Sequence, residues 1–207
     1  MPVKYLSGPA SQYVEPAVSC AKFEQEVSDF RALGDEYRRN GWLLLEAEFP
    51  EILVALAAPH IAPPAVVCGV LFDYTNYDAE PPSVRLVDPF TREPYLAKTL
   101  PTNLNRAVAA QAVELPGMPG QIQLQQAQPL MQAYGPDEVP FLCLAGVKEY
   151  HRHPAHSGDA WELHRPAGAG RLVRLLEIIY TYGVKPLKGY GVNLVPQVQL
   201  DFGEPPE

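Results

Sequence analysis

The chain has 207 residues, a formal net charge of −8 and a hydrophobic fraction of 47%. That is enough apolar material for one domain with a real core. The acidic balance excludes a general nucleic-acid binder, which needs a basic stripe. No apolar run approaches bilayer-spanning length and residues 1–16 lack the apolar centre of a secretory signal, so neither membrane insertion nor export is expected. Cys20, Cys68 and Cys143 are widely spaced, odd in number and outside any CxxC. This argues against a disulfide scaffold and for a reducing, cytoplasmic compartment. The 23 prolines against 15 glycines favour extended segments and loops over long helices.

Residues 1–20 carry Gly8, Pro9 and Pro16 without a period and are expected to form a surface arm, with the domain over 21–190 and a tail over 191–207. Over 22–40, Phe23, Val27, Phe30, Leu33 and Tyr37 recur at spacings of three and four. This predicts one helix, with Ser19 as its cap and Asn40-Gly41 as its stop. The period then changes. Residues 42–48, 52–58, 65–74 and 83–87 read as four strands, separated by Pro50, a turn at 60–64 and a loop at 75–82. A helix followed by four closely connected strands predicts an antiparallel meander covered on one face, an α+β fold. Residues 88–138 are the least legible: a short helix is expected at 103–113, a turn cluster at 115–120 and a polar, glutamine-rich run at 121–128. The last clear helix spans 170–182, with Leu172, Leu175, Leu176, Ile179 and Tyr182 as its buried stripe and Gly183 as its stop. A strand interrupted by Pro196 is expected at 192–200, before an acidic, proline-rich end.

The chemistry concentrates in residues 140–165, PFLCLAGVKEYHRHPAHSGDAWELHR, which hold Cys143, four of the five histidines and Trp161. An apolar run over 139–147 delivers the cysteine, and a histidine-dense loop follows. Elsewhere Cys20 and Cys68 read as ordinary thiols, His60 as a solvated turn residue, Trp161 as a packing anchor, and Arg171 and Arg174 as a solvent-facing pair.

The order helix, meander, long loop, cysteine, helix resembles the ubiquitin-conjugating (UBC-like) fold over roughly residues 22–182. That family joins its third and fourth strands by a Tyr-containing loop ending Pro-Pro-x-Val-x-Phe. Here the residues are Tyr77 and Pro81-Pro82-Ser83-Val84-Arg85-Leu86, then Asp88-Pro89-Phe90. The family nucleophile lies in Ile-Cys-Leu, here Leu142-Cys143-Leu144, and a tryptophan follows, here Trp161. The resemblance implies a thioester of a ubiquitin-like protein on Cys143. The thioester is received from a ubiquitin-activating-like enzyme and passed to a target lysine, in a bacterial modification system of the anti-phage kind. Two features depart from it. The His-Pro-Asn element that supplies the oxyanion donor has no counterpart in Ala133-Tyr134-Gly135-Pro136-Asp137-Glu138, and the last two family helices are missing.

Thioester transfer needs a thiolate, an oxyanion donor and a base. His151, His153, His156 and Lys148 are candidates to favour the thiolate, Glu149 or Asp159 to orient a histidine or deprotonate the amine, and backbone N–H groups near Gly146 to replace the missing asparagine. A second resemblance, to a bacterial family of predicted metal-binding domains with a Cys-Glu-His-His signature, rests on Cys143, Glu149, His151 and His153 or His156. It implies a zinc site, with Cys143, Glu149, His151 and His156 as ligands, in place of a nucleophile. An inactive UBC-like scaffold is a third expectation; otherwise no cofactor is expected.

Overall fold

A computed structural model of the chain describes residues 11–108, 111–114, 121–124 and 127–191. The strand expected at 192–200, the turn cluster at 115–120 and the acidic end lie outside the described residues.

The first helix begins earlier than its periodicity predicts. α1 spans Pro16–Ala32, with Pro16 in the first turn, where its missing N–H costs nothing. Ser19 is therefore inside the helix and fully buried, not a cap. Residues 16–20 belong to this helix, not to an arm. The expected single helix is also broken: α2 spans Gly34–Arg39, and Leu33 between the two is half exposed instead of lying in the stripe. Glycine at 34 follows a non-helical Leu33, which favours the break. Gly41 ends the pair at φ +86°, and a Cβ there would stand 2.4 Å from the Ala57 carbonyl oxygen. Before α1, the backbone N–H groups of Tyr13 and Val14 donate to Asn76 Oδ1, at 2.8 and 3.0 Å, tying residues 11–14 to the loop after the third strand.

The four expected strands form, two of them with one end shifted by a residue. β1 (Trp42–Glu48), β2 (Glu51–Ala58), β3 (Ala65–Asp73) and β4 (Ser83–Val87) form one antiparallel sheet in the order β1-β2-β3-β4. Leu44 faces Val54, Ile52 faces Phe72, and Val70 faces Leu86. Ile52, Val54, Leu56 and Ala58 point to one side of β2 and join Cys68, Val70, Phe72, Val84 and Leu86 in the core. Phe23, Val27 and Phe30 of α1 close the core from one element, and α5 (Leu172–Ile179) does so with Leu172, Leu175, Leu176 and Ile179. Each of these four side chains, at most 1% exposed, contributes about 2 kcal/mol by leaving water. Cys68 is an ordinary core thiol, and burial pushes its pKa up to about 12. Tyr182 follows α5 in a wide final turn, Tyr180–Val184, which closes one residue past Gly183.

Among the described residues of 103–113 the expected short helix is absent. β5 (Asn105–Ala107) pairs with β8 (Ala127–Pro129), and β6 (Gln111–Glu114) pairs with β7 (Gln121–Leu124). The alanines are good helix formers, but intrinsic propensity is small against tertiary context, and backbone pairing with the glutamine-rich run overrides it. β9 (Met131–Gln132) and β10 (Phe141–Leu142) form a last small ladder that ends at the cysteine. Among the described residues no helix is long and apolar enough to cross a membrane.

Candidate functional site

Cys143 is held from both sides. Leu142 and Val147, at 1% and 0% exposure, sink into the core before and after it, and the Cys143 N–H donates to the Leu130 carbonyl at 2.7 Å. The turn that follows needs Gly146 at φ +135°, where a Cβ would stand 2.4 Å from the Ala169 carbonyl oxygen. The thiol is half-buried. Burial pushes its pKa up, and the Arg106 guanidinium on β5 pulls against that shift.

The Pro81-Pro82-Ser83 motif seats what comes next. α3 spans Lys148–Arg152, and its first N–H donates to the Pro82 carbonyl at 2.9 Å. Ser83 donates its hydroxyl hydrogen to Glu149 Oε1. Lys148, only 4% exposed, pairs with Glu80 at 2.8 Å, and Arg152 takes the other oxygen of that carboxylate at 3.0 Å. Burial alone would raise the Glu80 pKa, but these two cations outweigh it and hold the carboxyl below its ordinary value. Trp161 opens α4 (Trp161–His164), and its indole N–H donates to the Asp78 carbonyl at 2.9 Å. The packing-anchor reading of Trp161 holds, since the ring is 6% exposed and in contact range of Gly170.

Only one of the loop histidines reaches the thiol. His156 Nε2 lies 3.4 Å from Cys143 Sγ. Its imidazole stacks on the Tyr150 ring with centroids 4.0 Å apart and planes at 21°. The Tyr150 hydroxyl donates to Asp159 Oδ2 at 2.5 Å, a bond that raises the phenol pKa to about 12. Asp159 Oδ1 meets His164 Nε2 at 2.5 Å, and the Tyr150 and His164 bonds together hold the Asp159 carboxyl below its ordinary pKa.

The remaining candidates face elsewhere. His151 Nδ1 bonds the Asp159 carbonyl at 2.8 Å, and the ring packs edge-on to Trp161. His153 stacks between Phe141 and Tyr134, at 5.2 and 5.7 Å, and its ring reaches the His156 ring only at 5.6 Å. Glu149 faces Ser83 on β4. The site therefore brings together Cys143, His156, Tyr150 and Asp159, with His164 and His151 behind them. On α3, Glu149 Oε2 and His151 Nε2 are buried with neither a hydrogen-bond nor an ion-pair partner among the described residues. Cys143, Glu149, His151 and His156 do not converge on one point, and among the described residues no group of three or more His, Cys, Asp or Glu is arranged to hold a metal ion.

Sequence reasoning missed Tyr150, His164 and Arg106. Tyr150 and His164 lie inside the histidine-dense stretch, so their proximity was available there; Arg106 comes from the illegible connection. The Arg171 reading is corrected as well: its guanidinium pairs with Glu26 and Asp29 of α1 and does not simply face solvent.

Residues 14–187 match the Y4jH-like family, described as the Y4jH family. The chain belongs to it. The match covers α1, the sheet, the connection, Cys143 and α5. A relative in Sinorhizobium fredii (strain NBRC 101917 / NGR234), the uncharacterized protein y4jH, is 42% identical over 193 residues, 90% of this chain and 92% of the relative.

Proposed function

We propose that Cys143 carries the C-terminus of a ubiquitin-like protein as a thioester and passes it to a lysine of a target protein, on a UBC-like scaffold. The observation that carries the reading is the 3.4 Å approach of His156 Nε2 to Cys143 Sγ at the end of β10. It is supported by the order in which helix, four-strand meander, cysteine turn and second helix occur.

In the first step His156 accepts the thiol proton. The sulfur attacks the carbonyl carbon of the thioester on a ubiquitin-activating-like enzyme. A new C–S bond forms, the old one breaks, and the activating enzyme's thiolate leaves, taking the proton from His156 and restoring it as a base. In the second step the lysine nitrogen attacks the same carbonyl. The isopeptide bond forms, Cys143 leaves as thiolate, and the amine proton passes to a base, for which His156 is the placed group. Neither Ala145 N–H nor Gly146 N–H has an acceptor among the described residues, which leaves both available as the proposed oxyanion donors. The setting proposed is a bacterial ubiquitin-like modification system of the anti-phage kind, in the cytoplasm.

The test is an adduct assay. Purified protein is incubated with ATP, a ubiquitin-like protein from a bacterial modification system and its activating enzyme, then run without reductant. A band that reductant removes and Cys143→Ala abolishes is expected. No such band with an active activating enzyme overturns the reading, and unaltered function of Cys143→Ala in cells would point to a scaffold instead. Zinc is the second reading: Glu149 Oε2 and His151 Nε2 are buried without a hydrogen-bond partner among the described residues, but Cys143, Glu149, His151 and His156 would have to move together to hold a cation. Metal analysis of untagged protein decides that point, with stoichiometric zinc lost on mutating His151 as the supporting result.

A further inference from the structure

We infer that Tyr150 is a positioning residue. Tethered by its hydroxyl to Asp159, it serves as the plate that holds the His156 imidazole against Cys143.

His156 ends a single short turn, Pro154–His156, that begins with proline and has no regular element behind it. Its backbone N–H is spent on the His153 carbonyl at 2.9 Å, which fixes the turn but not the ring. A histidine on such a turn would sample several rotamers, and only one places Nε2 by the sulfur. The side-chain contact that selects that rotamer is the Tyr150 ring, stacked at 4.0 Å. Tyr150 is itself defined from two directions. Its backbone lies in α3, which is pinned to β4 through Pro82 and Ser83. Its hydroxyl is held by Asp159, whose other oxygen is occupied by His164. A ring fastened at both ends transmits the position of the sheet to the imidazole, whose other ring neighbour among the described residues, His153, lies farther off at 5.6 Å. Asp159 thus acts on the thiol through two intermediates, Tyr150 and His156.

The inference rests on the Cys143–His156 pair, not on thioester chemistry, so its test uses the free thiol. The rate of Cys143 alkylation by iodoacetamide is measured in Cys20→Ser protein at fixed neutral pH. His156→Gln sets the floor. Tyr150→Leu is expected to fall about fivefold, close to that floor, while Tyr150→Phe keeps most of the stack and loses less. Tyr150→Phe, Asp159→Ala and the double variant should lose equally, because all three cut one tether. A second readout is independent of rate: the His156 ring protons carry a ring-current shift from Tyr150 that Tyr150→Leu removes and Asp159→Ala reduces. Wild-type rate and unshifted histidine resonances in Tyr150→Leu overturn the inference. If Tyr150→Leu fails to fold, additive losses in the Tyr150→Phe and Asp159→Ala cycle overturn it. An unchanged rate in His156→Gln would instead remove the pair itself. Failure of the thioester assay alone leaves this result standing.

Discussion

The carboxylate of Glu26, in the middle of α1, accepts the backbone N–H of Leu172, the first residue of α5, at 2.9 Å. It is a helix cap supplied from 146 residues away. The same buried carboxylate accepts the Tyr77 hydroxyl at 3.3 Å and meets the Arg171 guanidinium at 3.4 Å. One side chain thereby fixes the two core helices to each other and to the loop that leads to Pro82. Glu26→Ala should lower unfolding free energy by about 2–3 kcal/mol, since it leaves a buried N–H and a buried phenol without an acceptor. Urea unfolding followed by tryptophan fluorescence measures this.

His156 and His153 should separate cleanly. His156→Gln is expected to lower the yield of the Cys143 adduct at least about tenfold, as removal of a placed proton acceptor does. His153→Gln, which leaves Cys143 and His156 in place, should stay within about threefold. Timed non-reducing gels give both numbers. A larger loss in the His153 variant would mean that the wrong ring has been assigned to the thiol.

Arg106 acts on the thiol by charge. Its guanidinium lowers a Cys143 pKa that burial raises, so Arg106→Gln should move the alkylation profile to higher pH and slow the reaction near neutrality by about twofold. High salt should mimic part of the change in the wild type and none of it in the variant.

Glu80 and Asp159 make the acid limb of stability. Both carboxyls have folded pKa values below their ordinary ones, Glu80 through Lys148 and Arg152 and Asp159 through Tyr150 and His164. A depressed pKa contributes stability that is complete above the unfolded carboxyl range, near pH 4, and is lost as pH falls through the lower folded value. Unfolding free energy should therefore drop below about pH 4, and Glu80→Gln should flatten that drop while lowering the neutral-pH plateau. Urea midpoints across acid pH test the sign.

Gly146→Ala should be among the most damaging single-methyl additions. It requires φ +135° and places a Cβ 2.4 Å from the Ala169 carbonyl, so either the cysteine turn or the turn before α5 must shift. A loss of about 3 kcal/mol is expected by thermal unfolding. Gly158→Ala, with nothing within 4 Å of its Cβ, is the control and should stay within about 1 kcal/mol.

The sheet was legible because apolar, β-branched runs and the turn and proline punctuation between them agree: β1 and β4 fall where the residues place them, and β2 and β3 differ by one residue at one end. The core face of α5 was legible from its apolar stripe. The break at Leu33-Gly34 was not, because the spacing of three and four continues through it to Tyr37 while the backbone does not. The connection over 103–129 defeated sequence reading for a physical reason. Its short strands are defined by partners on the far side of a loop, not by a period of their own. At the site, the residue types and the cysteine were legible. Their pairing was not: whether His151, His153 or His156 meets the sulfur depends on a helix of five residues and a proline turn, where one residue's difference rotates a ring to another neighbour.

The bonds within the site and the bonds that seat it differ in reach. Cys143–His156, Tyr150–Asp159 and Asp159–His164 span 13, 9 and 5 residues of chain. Ser83–Glu149, Glu80–Arg152 and Asp78–Trp161 span 66, 72 and 83. The short set closes cheaply in a partly ordered chain, whereas the long set exists only when the meander is complete. Partial opening of the sheet would thus release a segment whose internal contacts persist but whose sulfur is no longer shielded. Reagent uptake at Cys143 under mild denaturant should rise before global unfolding, which makes this thiol a reporter of sheet integrity as much as a reactive group.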